Sequence, residues 1–224
     1  MRISSPAQSE KPPAGALKLL LPAAAAVLLF LPLFALRRLG PADFWWWMGA
    51  NIVILCFLGL TLDSSFWPHL RRDFELNVVE KLFLGVLTAG VLYLAFVASS
   101  FLVRALFSSA PAGINEVYSF KSSASTLRVT LLITLLIGPG EEVFWRGLLQ
   151  RQFEGRFGFP MGWLAAAALY AAVHLSSGNL VLVAAALVCG LYWGALYRRY
   201  RSVLLIAVSH TVWDILIFLA FPLG

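Results

Sequence analysis

The sequence predicts an all-α protein, a polytopic bundle of about seven transmembrane helices, or eight if the long third apolar run is split. Three observations carry that expectation. Hydrophobic residues make up 60% of the 224 and charged residues 12%, with a mean hydropathy of +0.83, far from the balance of soluble domains. Apolar runs approaching the roughly 20 residues that a helix needs to cross a hydrocarbon core recur along the chain. The cations fall between those runs in short clusters, without a basic face or an aromatic RNA-binding pattern. The formal net charge of +6 is therefore topological, and nucleic acid is excluded as a partner.

Residues 1–16 are polar and contain Pro6, Pro12 and Pro13, the composition of a disordered cytoplasmic tail. From 17 to 224 the chain reads as one transmembrane domain. The run Leu17 to Leu36 carries a basic residue, Lys18, at its start, as a signal peptide would, but it is too long for one and ends in Arg37-Arg38 without a small-residue cleavage site. It is taken as a retained span. Further spans are expected near Phe44 to Leu62, Lys81 to Phe107, Leu127 to Gln150, Pro160 to Leu175, Leu180 to Tyr197 and Ser202 to Leu223. Trp45-Trp46-Trp47 opens the second as an interfacial aromatic belt. The Ser-rich connection from Ser108 to Thr126 reads as an outer loop or lid.

Cations set the orientation. An inside amino terminus puts Arg71, Arg72, Lys81, Arg151, Arg156, Arg198, Arg199 and Arg201 on the inner side and leaves Arg37, Arg38, Arg104, Lys121 and Arg128 outside. The expected location is a multi-pass integral membrane protein with its amino terminus in the cytoplasm, in a bacterial inner membrane or its equivalent. Cys56 and Cys189 lie in separate apolar runs and read as core residues. Gly190 and Gly194 form a small-residue face, read as packing within a monomer in preference to dimerisation.

Ionisable groups in such runs are costly, by roughly 2.5 kcal/mol each or more, and persist where they face a protein interior or a wet cavity. Three spans carry them. In the fourth, Glu141-Glu142 precede Arg146; helical pitch places Glu142 over Arg146, a favourable pair, and turns Glu141 away. Glu141 is thus free to face a cavity as general base and acid. The preceding Gly138-Pro139-Gly140 should loosen the helix. In the fifth span Tyr170 and His174 share a face amid alanines, and in the seventh His210 and Asp214 do the same. Tyr170, Trp145 and Trp213 are the expected aromatic walls of a substrate pocket.

A Glu-Glu-x-x-x-Arg helix, an aromatic-x-x-x-His helix and a His-x-x-x-Asn/Asp helix, in that order, resemble the CPBP family: CAAX prenyl endopeptidases and bacteriocin-processing, Abi-type intramembrane proteases. The resemblance covers roughly Leu127 to Phe221. It implies that Glu141 activates the attacking water, that Glu142 and Arg146 complete the first motif, and that His174 and then His210 with Asp214 supply the second and third. The substrate would be a protein or peptide cut near the membrane: a CAAX terminus, a bacteriocin leader or a carboxyl-terminal sorting anchor. Two positions depart from the commonest pattern. Tyr170 stands where Phe is usual, and Asp214 is the charged variant of a position where Asn would bring a donor.

Two mechanisms stay open at this stage. With zinc, His174, His210 and a carboxylate from Asp214 or Glu142 would be ligands and Glu141 would deprotonate the bound water. Without a cofactor, Glu141 would act on water directly, the histidines would stabilise the oxyanion and Asp214 would orient His210; this reading is preferred. From other classes, the same residues could relay protons in a small transporter, or persist in an inactive scaffold or immunity protein. No internal repeat of the transporter kind is present.

Overall fold

The computed structural model describes residues 16–121 and 124–223, and nearly all of them are helical. The expected tail lies outside the described residues, apart from Ala16, which opens α1 (Ala16–Leu36). A short antiparallel pair, β1 (Arg38–Leu39) and β2 (Ala42–Asp43), turns the chain through Gly40 at φ +56°. Helices α2 (Phe44–Leu62), α3 (Phe66–Glu75), α4 (Val78–Leu106) and α5 (Ala110–Ser119) follow. Next comes one composite helix: α6 (Thr126–Leu132), a π-helical turn at Ile133–Ile137, α7 (Gly138–Glu142), a second π segment at Val143–Gln150 and α8 (Arg151–Phe157). The chain ends with α9 (Met161–Ala172), a 3-10 turn at Leu175–Ser177, α10 (Leu180–Tyr200) and α11 (Val203–Asp214), the last prolonged by π turns over Ile215–Ala220.

Side-chain caps set several of the starts. Asp43 accepts from the amides of Trp45 and Trp46, Asn179 from those of Val181 and Leu182, and Ser202 from that of Leu205, satisfying donors that a first turn leaves open. Among the described residues, α1, α2, α4, α10 and the extended α11 are long and apolar enough to cross a membrane. Exposed Leu, Phe and Val along α1, α2 and α4 face the position of lipid.

The expected seven spans need three adjustments. The fifth is short: the 12 residues of α9 rise roughly 18 Å, against about 30 Å of hydrocarbon. The Ser-rich connection contains a helix, α5, with Ala110 and Ile114 buried beneath it. Finally, the Trp cluster is not a simple belt. Trp46 is exposed, but Trp45 and Trp47 are buried, and the Trp45 indole donates to Phe120 O at 2.9 Å.

Helix α11 runs along α4 and against α7, α10 runs along α9, and α1 runs along α2. Ion pairs close both ends of this bundle. At one, Arg151 pairs with Asp63 at 2.5 Å, Lys81 with Asp73 at 2.7 Å and Arg201 with Glu154 at 2.7 Å. Burial opposes ionisation of Asp63, but Ser65 and the Arg151 guanidinium outweigh it and hold the carboxyl below its usual range. At the other end, Arg37 pairs with Glu116 at 2.5 Å and Arg128 with Asp43. The remaining motif charges lie between these layers.

Candidate active site

The composite helix α6–α8 positions the first motif. Its regular pitch is broken on both sides of Gly138-Pro139-Gly140 by the π segments, which agrees with the loosening expected from the sequence; such turns are frequent at functional sites. Gly140 is needed for contact, since a Cβ there would lie 2.2 Å from Ile52 Cγ2 of α2. Glu141 and Glu142 are both buried and diverge, as the pitch dictates.

Glu142 is fully enclosed. Its Oε1 accepts from Arg146 Nη1 at 2.8 Å and from His210 Nδ1 at 2.7 Å. The Arg146 guanidinium lies over the rings of Tyr170 and Trp193, 4.9 and 5.5 Å from their centroids, and is held there by cation–π attraction. Trp193 in turn stacks on the His210 imidazole at 3.8 Å and 25°, its own indole N–H donating to Ser209 Oγ at 3.2 Å. The imidazole is fixed on one edge and one face. Its other nitrogen, Nε2, stands 3.6 Å from Glu141 Oε2 and 3.6 Å from Asp214 Oδ2.

Asp214, expected to orient His210 or join it as a ligand, stands beside the ring, while the short bond is made by Glu142. Side chains four apart on a helix do meet, and these two meet at Nε2. The short bond that fixes the tautomer comes from Glu142 on another helix, so Nδ1 carries the proton in the neutral ring.

His174 closes α9 at the edge of its 3-10 turn. Its Nδ1 lies 2.7 Å from Tyr170 O, an acceptor only, so the neutral ring turns a bare Nε2 outward. The ring packs on Phe34 at 4.3 Å and edge-on to Tyr170 at 5.1 Å. Glu141, Tyr170, His174, Cys189, Trp193, His210, Trp213 and Asp214 all contribute to the wall of one cavity of about 180 Å³. That is room for several waters. The cavity runs from the motif residues to the underside of α5, where Ile114, Val117, Tyr118 and Phe120 complete it.

Trp145 is not part of that wall. It is 2% exposed and packs among Phe30, Phe144 and Tyr170; regular pitch would set it over Glu141 four residues earlier, but it falls in the π segment that follows Glu142. Sequence reasoning missed Trp193 and Cys189 as members of the site. A face pattern held the signal: both lie on the side of α10 that Gly190 and Gly194 keep close to its neighbours. Among the described residues, no group of three or more His, Cys, Asp or Glu side chains is placed to hold a metal ion. His174, His210 and Asp214, the expected ligand set, do not form such a group.

Chemically, the arrangement offers an unclamped carboxylate, an imidazole of fixed tautomer beside it and a cavity with room for water within an apolar bundle. Residues 123–216 match the family model described as Rce1-like, type II CAAX prenyl endopeptidase. The match takes in all three motifs and supports a CPBP-family intramembrane protease of the CAAX endopeptidase type. No curated protein and no solved structure gives a match.

Proposed function

With residues 123–216 carrying the pattern of CPBP-family intramembrane proteases, we propose that this protein hydrolyses a peptide bond in a membrane-associated protein or peptide, with Glu141 as the base. The observation that carries the reading is the placement of Glu141 Oε2 and His210 Nε2, 3.6 Å apart, on the wall of the same cavity. Glu142 holds Arg146 and His210 and leaves Glu141 without a cation of its own on the helix. A water between Glu141 and a bound peptide gives its proton to the carboxylate as its oxygen attacks the carbonyl carbon. When the tetrahedral adduct collapses, the C–N bond breaks and the same proton passes to the leaving nitrogen. His210, flanked by Glu141 and Asp214, holds charge balance at Nε2 while this occurs. His174 Nε2 is an acceptor facing the cavity, suited to the substrate's N–H or to the water.

No step in this scheme uses a metal. The long apolar cavity suits an extended apolar segment at a chain end, the class that a CAAX-type or sorting-anchor substrate supplies. The bundle end joined by Arg151, Arg201 and Lys81 is the cytoplasmic one in this reading, because it collects most of the cations.

Quantitative mapping of new peptide termini in membrane fractions tests it. Cells carrying the parent should accumulate termini that cells carrying Glu141→Gln lack. Identical terminus profiles in the two would end the proteolytic reading.

A further inference from the structure

Peptide hydrolysis through a tetrahedral adduct needs a hydrogen-bond donor where the carbonyl oxygen becomes an oxyanion, and a preorganised donor there is a large part of catalysis. On this cavity wall nearly every donor is already committed. Arg146 Nη1 is taken by Glu142, and its Nη2 faces the Cys189 and Gly190 carbonyls at 3.4 and 3.5 Å. The indoles of Trp45 and Trp193 donate to Phe120 O and Ser209 Oγ, and the Tyr118 hydroxyl donates to Ile217 O. His210 Nδ1–H belongs to Glu142, a proton on its Nε2 faces the Glu141 and Asp214 carboxylates at 3.6 Å each, and His174 Nδ1–H belongs to Tyr170 O. Neutral His174 therefore presents a lone pair, which an oxyanion repels. Asp214, as a carboxylate, can only accept.

Three donors are left, and one of them, the Cys189 thiol, is weak. The Trp213 indole N–H has no partner, but it is shut off from open space. The Tyr170 hydroxyl makes no hydrogen bond with the described residues and is not among the atoms sealed in the interior, although the residue is only 6% exposed and lines the cavity. It faces the void. Its ring is fixed between the Arg146 guanidinium and the edges of Trp145 and His174, so the hydroxyl is held in place without a hydrogen bond.

We propose that the Tyr170 hydroxyl is the donor to the oxyanion, the part that an amide side chain at position 214 would otherwise supply. Tyr170 and Asp214 are the two positions at which this sequence departs from the pattern it resembles, and the proposal places the donor on α9 rather than on α11. The inference rests on the proteolytic reading above. In the step itself, the water oxygen bonds to the carbonyl carbon and the carbonyl π pair moves onto oxygen. Tyr170 donates to that oxygen without losing its proton, and Glu141 carries the proton of the water.

Tyr170→Phe tests this cleanly. It keeps the ring, its contact with Arg146 and the backbone carbonyl that holds His174, and removes only the hydroxyl. In a time course of new-terminus formation in membranes, full-length Y170F is expected to act about 10²–10³-fold more slowly than the parent, the loss typical of one oxyanion donor. Its melting temperature should be that of the parent. Adding D214N to Y170F should recover at least tenfold of the rate (roughly, on the same scale), which a purely structural role for the hydroxyl would not allow. A parental rate in Y170F overturns the proposal, and so does a double variant no faster than Y170F. A parent indistinguishable from E141Q overturns the proteolytic reading, and this inference with it.

Discussion

His210 Nδ1 donates to Glu142 Oε1 at 2.7 Å, across 68 residues of sequence. The same oxygen receives Arg146 at 2.8 Å, so the ion pair that helical pitch creates on one helix also anchors the imidazole of another. Glu142 thus ties Arg146 and His210 together in the core. Arg146 and Glu142 are both buried, at 2% and 0% exposure, and removal of one partner strands a charge where water cannot reach it.

Arg146→Met is accordingly expected to destabilise the fold by about 3–5 kcal/mol, the usual cost of breaking a buried pair from one side. Thermal unfolding in detergent measures it. An unchanged transition would mean that Glu142 does not depend on Arg146 for its place in the core.

Glu141 behaves in the opposite way. Its Oε2 stands 3.6 Å from His210 Nε2, too far for a hydrogen bond that holds the helices together. Glu141→Gln should leave the melting temperature close to that of the parent while lowering the rate of new-terminus formation by about 10²–10⁴-fold, the contribution of a positioned general base. The two carboxylates are adjacent in sequence, yet one variant loses activity without stability, whereas disturbing the other's partner costs stability first. Circular dichroism melts alongside the rate assay separate the two; a strongly destabilised E141Q would assign Glu141 a structural role.

The part of this architecture legible in the sequence is the part set by local periodicity. A spacing of four places Glu142 beside Arg146 whatever surrounds them, and apolar runs of about 20 residues announce α1, α2 and α10 without tertiary information. The partner of His210 was not legible. Asp214 shares its helix and meets the ring, but which carboxylate reaches Nδ1 depends on how α7 packs on α11, and no spacing encodes that. Trp145, four residues after Glu141, lies in the core against Phe30 and not on the cavity wall, where the π segment over Val143–Gln150 departs from the pitch that the spacing assumes. Helix α5 was hidden because serines at its flanks resemble a loop, while Ala110 and Ile114, the residues that seat it, are too few to form a pattern.

Helix α5 roofs the cavity, and its attachments are polar. Glu116 accepts from Arg37 at 2.5 Å and from Asn179 Nδ2 at 3.0 Å, and the Tyr118 hydroxyl donates to Ile217 O at 3.0 Å. Arg37 and Glu116 are a third or more exposed, so the pair is worth less than about 1 kcal/mol to global stability. Glu116→Ala should therefore barely move the melting temperature but speed amide hydrogen exchange over 110–119 relative to α10, because local opening draws on few contacts. Exchange unchanged in that helix would mean that the apolar seat of Ala110 and Ile114 holds it unaided.

Gly190 decides how close α10 comes to α9. A Cβ at this position would meet the Ala167 backbone and Cβ at 3.2–3.3 Å, and one at Gly194 would meet the Trp163 ring at 2.5 Å, so both glycines pack within the chain, as read from their spacing. Ala167 presents backbone at the contact and cannot rotate aside as a long side chain would. Gly190→Leu should push the helices apart, cost about 1–3 kcal/mol as overpacking does, and carry Cys189 and Trp193 away from Arg146 and His210. Loss of activity should therefore accompany loss of stability, whereas Gly155→Ala, at a position with open space around it, should affect neither. Rate and melting temperature measured on the two variants check this; a G190L protein with parental values for both would show that α10 is not held against α9 through this glycine.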